Sequence, residues 1–383
     1  MKTEQARFSA SEWIIFILST IAIFLSAIIL LISALILFSG KQIFLLISRI
    51  KTKPLLSAGI IIGVLFLIIL LYWFMIPVDW KNQSASAAIF IDQGESFNSV
   101  MNELSSAGVK FNRSFFTLMS KLSGVDRRLH VGRYDFQKGA TPYSILHKLA
   151  KGDVSLLEVT IPEGLSFKQI AGILKRKAGV DSLDFVMNCT DTTLIDNLNL
   201  NIENLEGYLF PNTYNLYWGM DSEKIIRLML EELNRELVDS LKKRASEIGF
   251  SLFEFITLAS LVEAEAKVPE ERPLISAVYH NRLKRGMLLQ CDPTVIYALS
   301  PLNHALVLKD LEYDSPYNTY IYPGLPPGPI NNPGKASLLA TLYPANVDYL
   351  YFVARGDGSH IFSSNLEKHN QAISEIKKNR EKG

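Results

Sequence analysis

The sequence predicts an α+β protein: apolar helices at the N-terminus, then a small α+β domain, then a mainly helical C-terminal domain with a few strands. Three observations carry this. The 48% hydrophobic content of the 383 residues is concentrated in two uncharged runs at the front. A strand-turn-helix pattern occurs twice between residues 89 and 180. From about Leu183 onward apolar residues recur at helical spacing, and strand-like runs return near the end.

The apolar runs are Trp13 to Phe38 and Leu55 to Ile76. Each exceeds the roughly 20 apolar residues that a bilayer span needs, so both are expected transmembrane helices. The first is too long for a cleavable signal peptide, and its flank (Lys2, Glu4, Arg7, Glu12) sums to zero charge. The connector Ser39 to Pro54 carries Lys41, Arg49, Lys51 and Lys53 without an acid. The positive-inside rule puts that connector in the cytoplasm and the large C-terminal part outside it. The alternative for the first run, a re-entrant or interfacial hairpin, leaves the orientation of the second helix unchanged.

Residues 1–78 thus form the membrane segment, and the small polar stretch at residues 79–88 reads as a linker. The first 78 residues hold six of the chain's 39 bases and two of its 38 acids, which leaves 33 against 36 beyond them. That part has no basic field of the kind nucleic-acid binding needs. It is long enough for two cores. Cys189 and Cys291 are the only cysteines, and two cysteines do not define a bridge.

The repeat relates "IDQGESFNSVMNEL" at Ile91 to "IPEGLSFKQIAGIL" at Ile161, and each copy runs on to a Gly-Val pair, Gly108-Val109 and Gly179-Val180. In each, a strand ends at Gly94 or Gly164 and Ser96 or Ser166 is the expected N-cap. Phe97, Val100 and Leu104, or Phe167, Ile170 and Leu174, then make the apolar stripe of a helix. The unit serves either as a packing module or as a glycan grip. Strand-turn-helix units opening on Gly-x-Ser resemble LysM modules, so residues 89–180 are expected to be a LysM-like α+β domain and 181–383 a second domain.

In the second domain, Ser222 to Ile248 has helical spacing with acids early and bases late, as the helix dipole favours. Ser251 opens the next helix, and Gly286 stops the one after it. Asp292-Pro293 and Asn332-Pro333 are expected N-cap pairs, with a Tyr/Pro/Gly/Asn loop between them. "YLYFVA" and "HIFS" read as strands, and Ser364 to Arg380 as a closing helix.

The chemistry centres on "LASLVEAEA", Leu258 to Ala266. At 100° per residue Glu263 falls within about 40° of Leu252, Ile256 and Ala259, while Glu254 and Glu265 point away as expected surface or ion-pairing acids. Apolar surroundings disfavour the charged form of a carboxyl, as a general acid requires. The competing reading is a buried ion pair with Arg282 or Lys267. No GxSxG, P-loop or HExxH occurs, and the six histidines lack metal-ligand spacing. The loop from Ser315 to Asn332 offers Tyr317, Tyr320 and Tyr322 beside Asn318, Asn331 and Asn332. Flat rings with amides suit a sugar, and a proline-stiffened structural loop explains them equally.

Five ordered stretches then carry a resemblance: "LEGYLFPNTY", "LASLVEAEA", "ERPLISAVYHNRLKRGMLLQCDPTVIYAL", "YNTYIYPGLPPGPINNPG" and "YLYFVARGDGSHIFS". From roughly Ile89 to the C-terminus the chain resembles the MltG (YceG-like) family of endolytic murein transglycosylases. The resemblance implies a lyase, without a cofactor, that cuts the MurNAc-GlcNAc β-1,4 bond of nascent peptidoglycan strands and leaves 1,6-anhydro-MurNAc ends. It implies Glu263 as the catalytic residue, with Glu206, Asn281, Arg282, Gln290, Asp292, Tyr317, Asn318 and Thr319 lining the substrate site. It also implies a place in the bacterial cytoplasmic membrane with the catalytic domain on the extracytoplasmic side. The implied partners are penicillin-binding proteins and the elongation or division machinery. Two departures stand out: a second expected membrane helix, and Cys291 before Asp-Pro. Two rival readings are a non-catalytic glycan-binding scaffold for cell-wall synthases, and a two-carboxylate hydrolase with Glu206 or Asp292 as second acid.

Overall fold

The computed structural model describes residues 54–80 and 86–382. The first apolar run, its connector to residue 53 and residues 81–85 of the linker lie outside the described residues. Two compact units result, one containing Met1–Pro77 with Thr141–Tyr143, the other Val78–Ala140 with Ser144–Gly383. In the first, Pro54–Met75 is one helix of 22 residues, about 33 Å at 1.5 Å per residue. Ile62, Leu65, Phe66, Leu67 and Tyr72 on it are each more than half exposed.

In the second unit both copies of the repeat fold alike. Ser86–Ile91 pairs antiparallel with Gly132–Gln137, and Leu156–Thr160 with Thr213–Tyr217. Gly94 and Gly164 turn the chain at φ +78° and +75°, a conformation that suits glycine because it has no Cβ. Ser96 and Ser166 then cap Phe97–Ser106 and Phe167–Ala178 by accepting from Ser99 N and Gln169 N. Each helix buries the predicted stripe. A second helix, Arg113–Ser123 or Ser182–Asn188, follows in each copy, and the second copy adds Thr192–Asn197 before its return strand. Trp218 joins them: its Nε1 donates to Asp92 Oδ1 at 2.8 Å, and its ring packs on Phe90 with centroids 4.5 Å apart.

The expected helix over Ser222 to Ile248 is broken into Ser222–Glu236 and Asp239–Glu247. Leu237, at the break, turns its side chain into the core. Leu252–Glu265 follows, opened by a reciprocal capping box between Ser251 and Glu254. It is wedged between two cores. Phe255, Ile256 and Ala259 face the first, with the Phe167–Ala178 and Ser222–Glu236 helices. Leu258, Leu261 and Val262 face the second, with Ile275, Tyr279, Leu289 and Ile330. Every residue from Phe255 to Val262 is therefore buried, as expected of a helix apolar on all sides.

Around it pack Arg272–Lys284, Asp292–Ala298 and Lys335–Leu342. A hairpin of Tyr351–Ala354 and His360–Ser363 and a closing helix Leu366–Lys382 complete the unit. Neither expected Pro-flanked cap forms. Cys291 occupies the cap position before Asp292, and Gly334 the one before Lys335. Asn332 instead spends its side chain on longer reach: Oδ1 accepts from Leu209 N, and Nδ2 donates to Leu165 O and Glu206 Oε1. Cys189 and Cys291 are both buried and free.

Candidate active site

Glu263 stands at the end of the wedged helix, its side chain 6% exposed. Its Oε1 accepts from Arg272 Nη2 at 3.3 Å, and its Oε2 from Gly334 N at 3.0 Å. The basic partner is thus Arg272, not Arg282 or Lys267. Arg272 is fixed in turn by its Nε, which donates to Ser337 Oγ at 3.0 Å. The tyrosine-rich loop does meet this helix. Ile330 N donates to Ser260 Oγ at 3.1 Å, and Asn331 Nδ2 to Ser260 O at 2.9 Å, one turn before Glu263.

A second carboxylate converges here that the sequence reading did not single out. Glu163, in the Pro-Glu-Gly turn of the second repeat, lies with Oε2 3.8 Å from Arg272 Nη2. A Cβ built on Gly334 would fall 1.8 Å from Glu163 Oε1, and one built on Gly164 would fall 3.5 Å from Glu263 Cγ. The turn is stitched to the same loop, Gly164 N donating to Asn332 O at 2.9 Å and Asn332 N to Leu165 O at 3.0 Å. Burial and the neighbouring Glu263 charge push the Glu163 carboxyl above its usual range, with Arg272 opposing. The repeat held a signal for it: the position equivalent to Glu163 in the first copy is the neutral Gln93.

The remaining expected residues divide by what they touch. Asn281 Nδ2 donates to Val347 O and Tyr349 O, both at 2.9 Å. Arg282 is 7% exposed and gives its donors to Leu350 O, Leu288 O, Leu289 O and Gln290 Oε1. Asn318 is buried and donates to Leu311 O and Tyr313 O. Thr319, also buried, accepts from Cys291 N at 2.9 Å. These four fix loop shape. Gln290 is exposed at φ +51°, Asp292 is exposed and accepts from the Tyr320 hydroxyl, and half-buried Tyr317 packs on Tyr297 with centroids 5.0 Å apart.

Glu206 lies deeper, 1% exposed. Oε1 accepts from Phe167 N and Asn332 Nδ2, each at 3.0 Å, and Oε2 from the Tyr297 hydroxyl at 3.4 Å. Burial outweighs these bonds and pushes its carboxyl up to about 8. Glu254 is the exposed acid expected, and it caps the helix by accepting from Ser251 N. Glu265 is not a surface acid: it accepts from the Tyr279 hydroxyl at 3.3 Å, and burial raises its carboxyl. The wedged helix leaves its C-terminal turn no solvent face on that side. Among the described residues no group of His, Cys, Asp and Glu could hold a metal ion.

Residues 89–375 match the model of the YceG-like family. The endolytic murein transglycosylase of Bacillus subtilis is 36% identical over 312 residues, covering 77% of this chain and 86% of that protein. The one from Streptococcus pneumoniae strain D39 is 29% identical over 361 residues, or 86% of this chain, which spans 64% of that relative's length. A crystal structure of a yceG-like protein from Listeria monocytogenes matches with a TM-score of 0.54 at 33% identity, over 75% of this chain and 98% of that one.

Proposed function

The chain belongs to the YceG-like family, and from that premise we propose that it is an endolytic murein transglycosylase acting on the glycan strands of peptidoglycan. The observation that carries this is Glu263, a nearly buried carboxylate with one donor on each oxygen, at the meeting of the V-E-A-E helix, the Arg272 helix and the end of the tyrosine-rich loop. In the proposed reaction Glu263 gives its proton to the glycosidic oxygen between MurNAc and GlcNAc. The C1–O bond breaks, and the same sugar's 6-hydroxyl bonds to C1 while returning its proton to Glu263. No water is consumed, and a 1,6-anhydro-MurNAc end remains. One carboxyl serves as acid and then as base, as general acid–base catalysis allows. Internal cuts of this kind would end strand elongation.

Gln290, Asp292 and Tyr317 are the proposed glycan contacts. Asn281, Arg282, Asn318 and Thr319 hold the loops that present them, and Glu206 ties three segments together beneath. The strand-helix-helix-strand order of residues 86–137 supports the LysM-like reading of the first domain. The apolar Pro54–Met75 helix and the basic connector before it support an anchor in the cytoplasmic membrane with the catalytic part outside. Penicillin-binding proteins and the elongation or division machinery are the proposed partners. The hydrolase alternative is less well supported with Glu206 as its second acid, because both Glu206 oxygens are engaged away from solvent; with Asp292, exposed and bonded by the Tyr320 hydroxyl, it is decided by the chain ends released.

The test is cleavage of uncross-linked nascent peptidoglycan by the full chain beside Glu263→Gln. Anhydro ends that appear with the first and fall by at least ~10²-fold with the second are expected. Binding without cleavage by the unmodified chain would favour the scaffold.

A further inference from the structure

Arg272 poses a problem for the proposed chemistry. A guanidinium 3.3 Å from Glu263 Oε1 favours the charged carboxylate, whereas the first step needs the acid. Among the described residues, the other charged groups near it are committed elsewhere, Glu271, next to Arg272 in the chain, to His360. Of the helices packed against Leu252–Glu265, Asp239–Glu247 sends Arg244 to Leu342 O, Asp292–Ala298 commits Asp292 to Tyr320, and Lys335–Leu342 pairs Lys335 with Glu236. Further along the Arg272 helix, His280 bonds Thr341 O and Arg282 gives its donors to backbone oxygens and Gln290. Glu265, on the same helix as Glu263, faces Tyr279. Among the described residues only Glu163 shares Arg272 with Glu263.

We propose that Glu163 is a positioning residue for this reaction: by sharing Arg272 with Glu263, it divides the guanidinium between two carboxylates, so that Arg272 does not pair with the transferring carboxyl alone. The proposal rests on Glu263 being the acid and base. The geometry fits the role. The two carboxyl oxygens nearest Arg272 Nη2 lie 3.8 and 3.3 Å from it, so a single cation faces two carboxylates. With one proton between them the trio is neutral. Glycine at 334 is what admits the arrangement, because any side chain there would occupy the space of the Glu163 carboxylate. Burial first, and the neighbouring Glu263 charge second, push the Glu163 carboxyl above its usual range, with Arg272 opposing. At 46% exposure Glu163 remains open to solvent, so a neutral replacement there leaves the core untouched.

The test is the pH profile of kcat/KM for release of anhydro ends from uncross-linked strands, using the full chain. Its alkaline limb reports loss of the proton from the acid in the free enzyme. In Glu163→Gln that limb should move to lower pH by about 0.5–1 unit, with the rate at neutral pH falling accordingly and the acidic plateau largely kept. Glu163→Asp should stay nearer the parent. Gly334→Ala, whose methyl displaces the Glu163 carboxylate, should shift the limb in the same direction and serves if Glu163→Gln does not fold. A limb unmoved in both variants, or a rate lowered equally at every pH, overturns the positioning role. If the parent chain yields no anhydro ends, or Glu263→Gln remains active, the underlying reading fails and this one with it.

Discussion

Glu206 and Glu263 are both nearly buried glutamates, and their partners give them opposite tasks. Glu206 meets neutral donors only, and burial raises its carboxyl from 4.5 to about 8. Between those values the folded chain keeps a proton that the unfolded chain releases. Its contribution to stability is complete below about pH 4.5 and is lost as pH rises toward about 8, at a slope of at most ~1.4 kcal/mol per pH unit. Glu206→Gln, which can accept from Phe167 N and donate to Tyr297, should flatten that slope. Denaturant unfolding of the full chain in detergent at several pH values would measure it. Glu263 instead meets a cation and a backbone N–H. Periodicity alone marked Glu263 as a carboxyl on an apolar stripe, and this was legible. Its partners were not, because Arg272, Glu163 and Gly334 come from separate segments that only tertiary packing assembles. The same blindness assigned Glu265 to the surface.

At the scale of elements, the helix Leu252–Glu265 owes its start to local chemistry and its place to its neighbours. The Ser251 capping box could be read from Ser-x-x-Glu. Ser251→Ala should cost about 1 kcal/mol of stability without changing the products of cleavage, as denaturation and assay together would show. A closer fit lies at Gly207, φ +83°, where a Cβ would come within 2.6 Å of Pro329 Cβ and 2.8 Å of Ile256 Cγ2. Gly207→Ala adds backbone strain to overpacking and should destabilise by roughly 2–4 kcal/mol, read from the same denaturation curves. The Pro-flanked caps at Asp292 and Asn332 illustrate the limit of local signals. Asn332 has the right chemistry for a cap, yet it bonds across 123 residues to Leu209 and across 126 to Glu206. Such long-range demand leaves no local mark.

In the second compact unit as a whole, duplication organises the fold. The two helical stripes and their serine caps were visible in sequence because each is contained within about a dozen residues. The return strand Thr213–Tyr217 was not. Its pairing with Leu156–Thr160 spans a long connection, and its short run is flanked by helical segments. Trp218, just after that strand, couples the second copy to the first through Asp92 and Phe90. Trp218→Ala should loosen the first copy and speed protease nicking between residues 92 and 155, leaving the segment from 156 onward resistant; limited proteolysis with mass mapping would decide. The central claim, that one carboxyl cuts the glycan without water, is tested most directly by cleaving uncross-linked peptidoglycan in ¹⁸O-enriched water and weighing the new ends. Ends one water lighter than a reducing end, carrying no label, are the predicted result, whereas reducing ends that carry ¹⁸O would contradict it.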